Sequence, residues 1–156
     1  MLMATLARKL MIEQLDKKLA RYAEIKDIEV PQGGWINAVR TTLNMSLAQL
    51  GRRLKMTSVG AKGIEDRERD GSITLKKLIE AGRALNLDFV YGFVPSDSSI
   101  DKMVEKRAGQ VAREIVMRTS HNMKLEDQEN TEERLKQAIE DRADLLKREV
   151  PRHLWD

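Results

Sequence analysis

Two helix-starting signals stand close together between residues 46 and 64, and they leave little freedom for what lies between them. Ser46 and Gln49 have the Ser-x-x-Gln spacing in which each side chain satisfies a backbone amide that the first helical turn leaves free. Thr57 is a second good N-cap, after which apolar spacing resumes at Ala61 and Ile64. Leu47, Leu50 and Leu54 form one helical stripe between the two signals. The stretch "KMTS" must then be a short turn, and the order is short helix, tight turn, second helix.

Neighbouring segments follow the same period. Ile12, Leu15, Leu19 and Tyr22 mark an N-terminal helix that ends before "VPQGGW". Ile36, Val39 and Leu43 mark a short helix closing near Asn44. The stretch "DRERDGSI" reads as a loop, and Thr74 then caps a helix carrying Leu75, Leu78, Ile79 and Leu85, with Asn86 as its stop. Residues 88–94, "DFVYGFV", break the pattern: they are β-prone but too short to form a sheet alone, so a partner strand from a second chain would satisfy them. Beyond the linker "PSDSS", Val104, Ala108, Val111 and Ile115 mark a long helix, interrupted by "SHNMKLEDQEN". Leu135, Ile139 and Leu146 mark a last helix, which stops at Pro151. The expected fold is all-α, with an N-terminal helix in 1–30, a four- to five-helix domain in 35–95, a helical extension in 99–156 and a possible short dimer-forming strand at 88–94.

Composition supports that class, since eight methionines stand against three prolines and only 4% of residues are aromatic. Cysteine is absent, which excludes disulfides and thiolate metal sites and fits a cytoplasmic location. No apolar run is long enough to span a bilayer, and Arg8, Lys9, Glu13 and Asp16 break the apolar run that a signal peptide needs. The net charge of +3 is unevenly placed: +1 over residues 1–34, +4 over 35–95 and −2 over 96–156. No acidic residue lies between Glu29 and Glu65, a gap that holds Arg40, Arg52, Arg53, Lys55 and Lys62. Such a window suits a surface facing a polyanion, although a solvated face could also collect these charges by chance.

Two short helices joined by a tight turn form the pattern of a helix-turn-helix, whose second helix enters the DNA major groove. The stretch "LAQLGRRLKMTSVGAKGIEDRERDGSITLKKLIEAGRALN" resembles the four-helix DNA-binding domain of phage repressors and xenobiotic-response-element regulators. Over nearly the whole chain, "ARKLMIEQLDKKL", "GGWINAVRTTLNMS", "DFVYGFVP", "RTSHNMKLEDQ" and the terminal "LWD" are similar to the bacterial family called mobile mystery protein A, which sits on mobile elements beside a Fic-domain protein.

The resemblance implies a helix-turn-helix regulator of double-stranded DNA, a repressor of a mobile-element or toxin–antitoxin-like locus. A homodimer is expected because one such domain has a small interface and two half-sites about one helical turn apart multiply specificity. The alternative is a protein-interaction partner of a Fic-domain enzyme, with DNA binding secondary or lost. By position, Arg40 pairs with Glu65 and lies near a phosphate, and Ser46 presents a helix N-terminus to a phosphate. Ser58, Val59 and Gly63 fall where bases are touched, with Lys62 beside them and Arg67 and Arg69 following. Arg53 and Lys62 are expected on phosphates.

Val59 offers only a methyl contact, Ser58 a weak hydrogen bond and Gly63 no side chain. Gly60 and Gly63 therefore either let the helix lie close to DNA or permit tight helix packing. No enzyme constellation is visible, since His121 and His153 belong to no metal or triad signature, and neither a metal nor a cofactor is expected. His121, Glu126, Asp127 and Glu129 suit a polar turn, and Trp35 and Trp155 suit core or interface anchors. The Ser/Thr-x-x-x-Glu-Gly/Asn helix motif of Fic-inhibiting antitoxins is absent, because Leu125 stands where a hydroxyl residue is required.

Overall fold

The computed structural model describes residues 1–125 and 132–156, and side chains are described outside 122–131. Every regular element among the described residues is helical. These are α1 (Leu2–Leu19), continued by a 3-10 segment (Ala20–Ile25), α2 (Trp35–Thr42), α3 (Leu47–Leu54), α4 (Ser58–Asp70), α5 (Leu75–Ala84), α6 (Ile100–Leu125), α7 (Glu132–Glu149) and a closing 3-10 segment (Arg152–Trp155). None of them is long and apolar enough to cross a membrane.

The chain divides into two compact units: Asp27–Tyr91, and Met1–Lys26 together with Gly92–Asp156. In the 27–91 unit Ile36, Leu50, Ala61, Ile64, Ala81 and Leu85 are buried, and Val39, Leu54, Met56 and Leu78 pack against them. These residues come from all four short helices, each of which is too short to persist without the shared core. In the other unit Val104, Ala108, Val111 and Ala112 of α6 meet Leu146 of α7 and Leu154, with Ile12 of α1 packed against them. The first helix thus joins the C-terminal helices instead of standing apart.

A carboxylate fastens that junction. Asp16 of α1 accepts hydrogen bonds from the Ile100 and Asp101 amides at 2.7 and 3.1 Å, capping α6 from another helix. Two turns into α6, Arg107 Nε donates to the Leu154 carbonyl at 2.6 Å, and Nη2 donates to that of Asp156.

Several sequence expectations are corrected. "DRERD" is helical: α4 runs to Asp70 and stops at Gly71, whose φ of 81° is a left-handed conformation that costs glycine little. The helix α6 passes through Ser120 and His121 to Leu125 instead of breaking there. The acidic residues Glu126, Asp127 and Glu129 lie outside the described residues. Leu15, Leu43 and Leu75 are exposed, and Trp35 and Trp155 are about half exposed, so neither tryptophan anchors a core. The expectation for residues 88–94 is not among these: it requires a second chain, and in the single chain the segment forms no strand because none exists among the described residues for it to pair with.

Candidate nucleic-acid interface

The turn between α3 and α4 is built from reciprocal caps. Gln49 N donates to Ser46 Oγ at 3.1 Å while Ser46 N donates to Gln49 Oε1 at 2.8 Å, so both halves of the capping box are made. Lys55 ends α3 in a left-handed conformation, with φ at 57°. Met56 N then donates to the Gly51 carbonyl at 2.8 Å, and Thr57 Oγ1 caps α4 by accepting from Gly60 N at 3.1 Å. Gly51 makes this closeness possible, since a Cβ there would stand 2.7 Å from the Met56 carbonyl oxygen and 2.9 Å from that of Thr57.

The inner face of α4 carries Ala61, Ile64 and Glu65, all buried. Glu65 is only 2% exposed and receives Arg40 Nε and Nη2, along with Asn37 Nδ2 at 3.0 Å. Arg40 Nη1 donates to the Met45 carbonyl at 2.8 Å. With its side chain 12% exposed, Arg40 ties α2 to α4 and to the start of α3. One turn further, Glu68 accepts from Trp35 N at 3.0 Å and Ile36 N at 2.8 Å, capping α2. Gly34 leaves the room, because a Cβ there would lie 2.7 Å from Glu68 Oε1 and its φ is 89°.

This division of labour sets the charge of the outer face. The helix α4 holds four carboxylates and three cations, so its sequence is net acidic. Glu65 and Glu68 are turned to α2, which leaves Asp66 and Asp70 against Lys62, Arg67 and Arg69 outside. Asp66 accepts Lys62 Nζ at 2.9 Å and Arg69 Nη2 at 3.0 Å. The hydrogen bond from Lys62 holds its carboxyl below the ordinary aspartate range. Asp70 is likewise lowered, chiefly by the Ser72 hydroxyl, whose bond closes the turn after α4. Ser58 and Val59 stand free on the outer face, Val59 at 80% exposure.

The remaining expected residues are placed as follows. Ser46 Oγ is engaged in the capping box. Arg53 Nη1 donates to the Ala84 carbonyl at 3.0 Å, at the end of α5. Arg67 lays its guanidinium beside Gly63: a Cβ there would meet Nη1 at 3.2 Å and no core atom. At Gly60 the same atom would press on Met56 Sδ at 3.2 Å. Gly60 is thus backed by the Met56 side chain of the turn, and Gly63 by an arginine end alone. Sequence reasoning missed Gly51, Asp66 and Glu68. The absence of Ser, Thr, Asp or Asn before Trp35 was the available signal for Glu68, since the free amides of α2 then need an acceptor from elsewhere. No family model, curated protein or solved structure matches the chain.

Proposed function

We propose that residues 27–91 are a helix-turn-helix domain of the phage-repressor kind, and that the protein is a dimeric, sequence-specific DNA-binding regulator acting as a repressor. The observation that carries this reading is the two-faced charge of α4, whose inner carboxylates are absorbed by α2 while Ser58, Val59, Lys62, Arg67 and Arg69 stand outward. A net acidic helix becomes cationic on one side. Lys62, Arg52 and Lys55 would meet phosphates, while Val59 and Ser58 would meet base edges in the major groove. With so few hydrogen-bonding groups on the helix, DNA shape contributes to selectivity. The resemblance to mobile mystery protein A agrees with this reading and suggests a mobile-element locus.

Selection of bound fragments from random DNA, followed by sequencing, is expected to return a two-part site. Lys62→Ala is expected to lower the magnitude of the slope of log K against log salt by about 0.9, the loss of one phosphate contact. Unchanged affinity and slope would remove Lys62 from the interface. A wild-type protein that shows no salt-sensitive DNA binding would overturn the whole reading in favour of a protein-interaction module.

Gly63→Ala has a separate expected outcome. Its methyl meets only the end of a flexible, exposed arginine, so the gain in helix propensity should stabilise the fold by up to about 1 kcal/mol. Operator affinity should fall as clearance over the groove shrinks. A thermal melt paired with a DNA titration measures both; intact affinity would discard close approach as the reason for this glycine.

A further inference from the structure

Residues 87–95 run without turn or bend, and the backbone of 88–94 makes no hydrogen bond to any described residue. A run of peptide groups left unpaired in this way is a sheet edge without a sheet. In extended chain successive side chains alternate between faces, so Phe89, Tyr91 and Phe93 share one side and Val90, Gly92 and Val94 the other. Val90, Tyr91 and Phe93 are 73%, 63% and 78% exposed, and the Phe89 and Tyr91 rings stack with centroids 6.0 Å apart. Gly92 lies against Tyr22, where a Cβ would stand 2.6 Å from the ring, whereas Val90, Tyr91 and Phe93 remain open.

We infer that this segment is the homodimer contact, pairing antiparallel with the same segment of a second copy about Tyr91. A partner strand must come from another chain, because no strand exists among the described residues. A second copy supplies the identical unpaired edge. In the antiparallel register centred on Tyr91, Phe89 faces Phe93 of the other copy and Val90 faces Gly92. Asp88, the only charged residue of the run, then lies opposite Val94, whereas parallel pairing would oppose two aspartates. The inference deepens the proposed dimeric regulator by naming its interface, and it stands or falls on association, not on DNA.

Sedimentation equilibrium of the full chain is expected to show a dimer at high micromolar concentration. Phe89→Ser/Phe93→Ser is expected to weaken association at least tenfold with unchanged helical circular dichroism. Because the chain has no cysteine, Tyr91→Cys should form a covalent dimer on mild oxidation, and Glu140→Cys, exposed on α7, should not. A monomer at these concentrations overturns the inference, as does a dimer indifferent to the double serine variant but lost in Leu6→Lys/Leu10→Lys, which would move the contact to the exposed apolar side of α1. A monomer that binds DNA leaves the DNA reading standing, and a Tyr91-linked dimer that does not bind DNA leaves the interface standing.

Discussion

Arg40→Met is expected to destabilise the 27–91 unit by about 3–5 kcal/mol, the range for removing one partner of a buried ion pair. The change strands the Glu65 carboxylate, 2% exposed, with Asn37 as its remaining side-chain donor, and it removes the donor to the Met45 carbonyl. Replacing both charges, as Arg40→Met/Glu65→Leu, should recover most of the loss, since apolar groups of similar volume often substitute for such pairs without net cost. Urea unfolding in a Trp155→Phe background isolates Trp35, which belongs to this unit. A loss under about 1 kcal/mol in the single variant would show the pair to be dispensable. Equal losses in the single and double variants would show that shape matters more than charge at this point.

Gly51→Ala is expected to have the opposite sign from Gly63→Ala, although both put alanine on a helix. At Gly51 the methyl would enter the space of two carbonyl oxygens, at 2.7 and 2.9 Å, and these belong to the turn backbone, which cannot swing aside as an arginine side chain can. Overpacking of this kind costs typically about 1–3 kcal/mol and exceeds the propensity gain of about 1 kcal/mol. The turn would have to move, carrying the start of α4 with it. DNA affinity per folded molecule should therefore drop, which distinguishes this variant from a purely destabilising one. A melting temperature at or above wild type would mean that the turn gives way easily.

These cases show which parts of the molecule sequence patterns reveal. Caps and stripes are local, so the capping box at Ser46, the Thr57 and Thr74 caps and the buried Leu50, Ala61 and Ile64 could be placed before any coordinates. The length of α4 could not be, because "DRERD" looks like a polar loop until Glu68 is seen to face the amides of α2. The charge of the proposed DNA face was legible only as a window without acids. That Glu65 and Glu68 turn inward while Asp66 engages Lys62 and Arg69 depends on the phase of α4 against α2, a tertiary fact. Gly51 was overlooked for a related reason: its neighbours lie across a turn, and helical spacing says nothing about them. The chemistry of "DFVYGFV" was readable, but not its unpaired state, which is a property of everything else the chain folds into.

The bond from Ile100 to Asp16 joins residues 84 positions apart in sequence, with the 27–91 unit interposed between them. During synthesis the interposed unit has all of its contributors once residue 91 has emerged. The first helix must wait until α6 exists before its carboxylate meets the amides it caps. Closing a loop of that length costs only slightly more entropy than closing a shorter one, and less if the intervening chain is already compact. The order of emergence therefore favours a vectorial route, in which the 27–91 unit matures first and the N-terminal helix, although made earliest, docks only after α6 has emerged.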